Sequence, residues 1–306
     1  MKYFIGTVVA FIVFCTIAKA EDVSIKMKEI MWQIRHNELN SYEYGYFCSA
    51  ENALSTIVAA GNYYSDSLPD IRCQAYRYAS KAALRCESDS VKMMVVEDLL
   101  RSCNDSVSIV VQNAWQELMC FNRKYYSDRA KLMLEQVVEK ETFFAEKFFL
   151  IGGYVGSGNM PSTLKNKRTV CAKEQKWYID LALCRLNDKS AVEMTLSRLS
   201  KIKPSLDFID DILPDLLYTR QRAIYDWIIN EAMTDECQCV SRSPISERPI
   251  PCSHYIMYEI ADYIDGFPIS RDEDGEKDDD FSRSEIKKMR TWLKVNPNYK
   301  IIDADY

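Results

Sequence analysis

Proline is missing from every position between Asp70 and Met160, so nothing in that stretch forbids long helices. Over the whole chain glycine and proline number nine each, roughly half their usual share, which argues against a turn-rich sheet architecture. Histidine is rarer still: His36 and His254 are the only two. No Gly-x-Ser-x-Gly and no His-Glu-x-x-His occurs, which removes the nucleophile elbow and the zinc-peptidase helix. Positive charge is in deficit, 39 Lys and Arg against 45 Asp and Glu. The net charge of −6 becomes −8 once Lys2 and Lys19 are set aside. That balance disfavours a nucleic-acid partner, which needs clustered positive charge, and adsorption to anionic lipid. Beyond the first 18 residues no apolar run is long enough to span a bilayer, so no membrane insertion is expected after export.

Lys2, the apolar run Tyr3 to Ala18 and the small-x-small triplet Ala18-Lys19-Ala20 predict an export signal over residues 1–20, cleaved after Ala20. The mature protein is then secreted or periplasmic. Without Cys15 the eleven cysteines become ten, an even number in a compartment where disulfides form. Cys73, Cys86, Cys103, Cys120 and Cys184 fall in or beside predicted helices, where cysteine serves as a small apolar residue, so one or two bridges are expected. Cys252 is the preferred partner, with Cys239 or Cys237, across a loop containing Pro244, Pro249 and Pro251.

The chain also repeats itself. Asp70-Ile71-Arg72, Asp105-Ser106-Val107 and Lys140-Glu141-Thr142 each open a helical run at intervals of 35 residues. Ala75 falls on Val110 and Ala145, and Ala79 on Ala114 and Phe149. Apolar residues at 71, 75, 78, 79, 82, 83 and 86 follow the i, i+3, i+4 spacing of one buried helix face. Val91, Met94, Val95 and Leu99 do the same, then Val107, Val111, Ala114 and Leu118, then Ala130, Met133, Leu134 and Val137. A fixed period in this range marks helix pairs that cannot bury their apolar faces alone and must stack. The expected fold is all-α, an α-α superhelix (solenoid) of stacked antiparallel helix pairs over residues 21–268. Phe143 to Ile151 predicts a fifth helix of the array, Gly152, Gly153, Gly156 and Gly158 predict a break near 152–167 with a loop from Gly156 to Lys167, and Val170 to Leu186 predicts the next helix. Residues 269–281 read as an acidic linker, with seven acids among the nine residues from Asp272 to Asp280. Residues 282–306 read as a docking helix and tail, opened by the capping box Ser282-Arg283-Ser284-Glu285.

Pro69-Asp70-Ile71-Arg72-Cys73-Gln74-Ala75 resembles the first-helix signature of HEAT-type repeats, of the HEAT/armadillo kind found among secreted bacterial proteins, and Thr219-Arg220-Gln221-Arg222-Ala223 keeps its Arg-x-x-Ala spacing. The other repeats depart from it: Val107 stands where the second would carry arginine, and the third has no basic residue there. The resemblance covers about Phe47 to Ile264 and implies a curved stack of helix pairs in which Arg72 and Arg220 are structural, bridging neighbouring repeats.

Sites of chemistry are few. Cys237, Cys239, Cys252 and His254 sketch a zinc site, but the spacing is poor and the compartment favours a disulfide. Gly153 to Gly158 mimics a phosphate loop without its Lys, and Asp272-Glu273-Asp274-Gly275 mimics a calcium loop with Phe281 where the bidentate Glu belongs. No cofactor or metal is expected. Asp207, Asp211 and Asp215 at i, i+4, i+8, with Asp210 beside them, carry the enzyme alternative, a carbohydrate-active helical hydrolase or lyase, against the plainer reading of a solvated face. Tyr42, Tyr44, Tyr46, Tyr63 and Tyr64 cluster ahead of the first regular repeat. The leading expectation is a non-enzymatic, exported scaffold that holds a protein or peptide partner on the concave face made by second helices. Lys92, Glu97, Arg101, Lys131, Glu135, Gln136, Glu193 and Arg198 are the candidate contacts, a mixed-charge set suited to a protein.

Overall fold

The computed structural model describes residues 20–38, 41–140, 143–241, 249–277, 283–303 and 306. The export signal therefore lies, Ala20 apart, outside the described residues, as do Pro244 and Ser282 of the predicted capping box. Within them the fold is all-α, with a single antiparallel pair of two-residue strands. The chain divides into two compact units, Met1–Asn159 and Met160–Tyr306.

In the first unit α1 spans residues 20–35. It is followed by α2 (Tyr44–Phe47), α3 (Ala53–Gly61), α4 (Pro69–Arg85), α5 (Asp89–Ser102), α6 (Ser108–Leu118), a 3-10 turn Arg123–Tyr125, α7 (Asp128–Glu139) and α8 (Ala145–Val155). Pro69 sits in the first turn of α4, where its missing N–H is no loss and its fixed φ already suits a helix. Ser88 caps α5 by accepting the Val91 N–H, and Ser127 caps α7 by accepting the Ala130 N–H. The periodic residues go inside: Ile71, Ala75, Tyr78, Ala79 and Ala82 of α4 are fully buried, as are Val110, Ala114 and Leu118 of α6. Helix α4 packs on α6 and α6 on α8, while α5 packs on α7, so alternate helices share a layer. The positions related by the 35-residue spacing, Ala75, Val110 and Ala145, are all core.

Several boundaries differ from the expectation. The predicted helix from Phe143 begins at Ala145, because Phe144 adopts a left-handed φ of 58° that no helix continues. Gly152 and Gly153 do not end it; both are buried inside α8, and Gly156, at φ 63°, is the terminator. The expected loop Gly156 to Lys167 is mostly helix, since α9 runs Met160–Val170 with Met160 and Leu164 fully buried.

The second unit continues with α10 (Gln175–Arg185) and α11 (Lys189–Leu199). The predicted helix Val170 to Leu186 is therefore broken ahead of Gln175. A π-turn, Phe208–Ile212, leads into α12 (Leu213–Tyr218), with Pro214 in its first turn, and α13 (Arg222–Ala232) follows. Then come β1 (Gln238–Cys239), β2 (Ile250–Pro251), α14 (Cys252–Ile260) and α15 (Arg283–Val295). The strands pair inside the predicted loop Asp235 to Pro251, and a Cys239–Cys252 disulfide closes it. That bridge takes two of the four groups the zinc sketch needed. The described part of the acidic linker is folded: Asp262 holds both Arg271 (2.6 Å) and Lys277 (2.7 Å), which themselves form a bridge. Helix α15 docks on α14 through buried Ile286, Met289 and Leu293. Its Arg290 donates to the carboxylate of Asp235 and the hydroxyl of Ser253.

Candidate functional site: an amide-lined groove between α4 and α6

Two helical stripes with the same i, i+3, i+4, i+7 spacing face one cavity in the first unit. Helix α4 contributes Asp70, Cys73, Gln74 and Arg77; α6 contributes Ile109, Gln112, Asn113 and Gln116. Ile34, Asn37, Ser41 and Tyr42 complete the lining of a groove of about 480 Å³. The helices are locked in this register by direct bonds. Arg72, between Asp70 and Cys73 of the stripe, grips Asp105 with Nε and Nη2, both at 2.8 Å, and donates from Nη1 to the Asp66 carbonyl at 2.7 Å. Asp105 in turn accepts the Val107 N–H, setting the turn into α6. At the floor the Cys73 thiol reaches the Ile109 carbonyl at 3.6 Å, and Asn113 Nδ2 donates to the Cys73 carbonyl at 3.3 Å.

The floor holds one unmet demand. Asn113 is 3% exposed, yet its Oδ1 accepts no hydrogen bond. A buried acceptor left in this state costs about 1–3 kcal/mol, so a helix would not carry it without compensation. Around it the lining is rich in carboxamides. Gln74 accepts from the Tyr44 hydroxyl at 3.0 Å, whereas the side chains of Gln112 and Gln116 make no hydrogen bond among the described residues. At one end Arg77 Nε lies 3.6 Å from Glu117, a mostly buried acid. Burial pushes the Glu117 carboxyl above its ordinary range, against the pull of Arg77 and Lys81. Burial likewise pushes the Cys73 thiol up to about 11, so this cysteine remains an unreactive thiol. The groove can exchange hydrogen bonds and fix charges, but it holds no activated nucleophile. A second, wider depression lined by Tyr44, Cys48, Lys81 and Arg85 has exposed cations on its rim and no unsatisfied buried atom.

Most of the charged residues expected on the second helices make contacts within the fold. Lys92 donates to the Tyr125 hydroxyl at 3.3 Å and lies over its ring. Glu97 accepts from Ser127 at 2.7 Å and faces Arg129 and Arg101, tying α5 to α7. Lys131 pairs with Asp128 within α7. Glu135 is buried and accepts from Ser157, so it presents no charge to a surface. Gln136 and Glu193 are exposed. Arg198 closes on the fully buried Asp180 at 2.9 Å, together with Arg168. Two of the eight, Glu193 and Arg198, belong to the other unit.

The remaining sequence features take these places. Arg72 bridges α4 to Asp105, but Arg220 sits in a left-handed turn before α13 and leads no helix, and Ala223 is exposed. The π-turn breaks the i, i+4 register of Asp207, Asp211 and Asp215, and Asp215 accepts the Trp177 indole N–H at 2.7 Å. Tyr42 and Tyr44 stack at 5.5 Å and pack with Tyr78 against the groove wall. The groove itself was missed from sequence, where Gln112, Asn113 and Gln116 drew no reading and Gln74 entered only as part of the repeat-like motif. The available signal was Asn113 at a buried register, between Val110 and Ala114. Comparison of the chain with protein-family models, curated proteins and solved structures yields no match.

Proposed function

We propose that this protein is a non-enzymatic binding scaffold and that the α4–α6 groove holds an extended peptide. The observation that carries the reading is the buried Asn113, whose Oδ1 accepts no hydrogen bond among the described residues, at a groove lined by further carboxamides. A side-chain amide offers one carbonyl and one NH₂, the same pairing chemistry as a peptide unit, so a row of them matches main chain in preference to any particular side chain. The groove volume lies within the roughly 300–1,000 Å³ usual for ligand sites. An exported setting agrees with the Cys239–Cys252 disulfide and the apolar N-terminal segment, and no described helix is long and apolar enough to cross a membrane.

A fluorescence-anisotropy screen of the full chain against free and doubly capped peptides tests the proposal. Saturable binding that Asn113→Leu abolishes, with the helical circular dichroism unchanged, is the expected result. Arg101→Glu on α5, outside the groove, serves as the control and leaves binding intact. If no peptide, capped or free, binds at millimolar concentration, the proposal is wrong.

A further inference from the structure

We infer that the occupant of the groove is a short free peptide of about three residues, its ammonium terminus seated at Asp70 and its carboxylate at Arg77. This rests on the peptide-groove reading and adds length, direction and terminal chemistry to it. Asp70 and Arg77 stand at the two ends of the α4 stripe, seven residues apart, which on a helix is a rise of about 10.5 Å. An extended chain advances about 3.3–3.6 Å per residue, so three residues cover that distance.

The two ends carry opposite and incompletely answered charges. The Asp70 carboxylate is exposed and forms no ion pair or hydrogen bond among the described residues. The Arg77 guanidinium is about one-third exposed and lies 3.6 Å from a single carboxylate, that of Glu117. Its other neighbour is the Tyr44 hydroxyl, and with five N–H donors it retains some for a second, planar anion, the shape of a peptide C-terminus. An internal segment of a long chain would bring neutral amides to both ends, leaving Asp70 without an ion pair and Arg77 paired with Glu117 alone. A free peptide brings the complementary charge to each. Between the ends the main chain passes Gln74, Gln112 and Gln116, over the buried Asn113. Opposite charge at the two ends also sets direction, since a reversed peptide would meet like charge twice.

Isothermal titration of the full chain with trialanine, N-acetyl-trialanine, trialanine amide, dialanine, pentaalanine and a doubly capped decapeptide tests the inference. Trialanine is expected to bind most tightly, and each cap to weaken it at least about tenfold, the loss of a charge-assisted pair. The crossed variants give a signature that misfolding cannot imitate. Asp70→Asn should remove the penalty for acetylation while keeping that for amidation, and Arg77→Gln should do the reverse. If either cap changes affinity less than twofold in the native protein, reading of the termini is wrong. Should the capped decapeptide then still bind in an Asn113-dependent way, the groove survives as a site for internal segments. Failure of every peptide overturns both.

Discussion

Replacing Asn113 with leucine is expected to strengthen the fold while destroying the site. The side chain is nearly isosteric, so packing between Val110 and Ala114 is retained. The substitution removes a buried acceptor without a donor, worth about 1–3 kcal/mol. It also removes the Nδ2 donation to the Cys73 carbonyl, a long contact at 3.3 Å worth at most about 1 kcal/mol. Leucine adds a few tenths of a kcal/mol, roughly, of helix propensity over asparagine. The balance is a gain of about 1–2 kcal/mol, or a rise in Tm of roughly 2–8 °C. Urea unfolding followed by circular dichroism reads the stability, and peptide titration of the same preparation reads the site. Asn113→Asp provides the opposite case, burying a charge against a carbonyl, and should destabilise by about 3 kcal/mol or more. A leucine variant destabilised by 1 kcal/mol or more, about one hydrogen bond's worth, at unchanged m would show that Asn113 is a satisfied structural residue, and the functional argument built on it would fall.

Other regions make independent predictions. Removing the Cys239–Cys252 bridge by Cys239→Ser with Cys252→Ser opens a loop of 13-residue separation and should cost about 3 kcal/mol, seen as earlier exchange of α14 amides with those of α4 unchanged. Arg72→Met leaves the Asp105 carboxylate without its fork in a mostly buried site and should cost about 3 kcal/mol, which lysine at position 72 does not restore; a loss below 0.5 kcal/mol, well under the roughly 3–5 kcal/mol typical of broken buried pairs, would make the bridge a surface ion pair in effect. Glu117 titrates above its ordinary value of 4.5, so its native carboxyl favours the proton. Its contribution to stability is therefore present below that pH and lost as pH rises through the native pKa, and Glu117→Gln should raise Tm at pH 8 with the difference closing by pH 4. Asp188 has the opposite sign: the Lys165 ammonium and, more weakly, the Ala191 N–H hold its carboxyl below the usual range against the effect of burial, so its stabilisation stands above pH 3.8 and is lost on further acidification, a loss Asp188→Asn should abolish.

Much of the fold was legible because burial on a helix leaves a period. The i, i+3, i+4 apolar spacing located α4 to α7 closely, and the loop-borne cysteines with their prolines located the disulfide. The misses share one cause, tertiary burial overriding local preference. Gly152 and Gly153 weaken a helix by about 1 kcal/mol each, yet Phe148, Phe149, Ile151 and Tyr154 bury around them and carry α8 onward until Gly156 turns the chain left-handed. The reverse happens at Phe144, an apolar residue in the predicted helix whose φ of 58° starts α8 one residue later.

The site was hidden for a related reason. Periodicity says which face of a helix is covered, but not whether the covering element meets it without a gap. The groove exists because α1 and the Ser41–Tyr42 segment stand off from α4 and α6, while Tyr78 and Tyr44 fix that segment from below. On the second helices charges are numerous, but several are paired within the fold: Glu97 with Ser127 and Arg129, Arg198 with Asp180. Charge that closes on its neighbours binds the fold together. Asn113 shows the opposite condition, a buried polar atom without a partner, and of the five such residues among those described it is the one that lines the groove. A residue that breaks the local rule at a position lining a cavity is the place to expect a ligand.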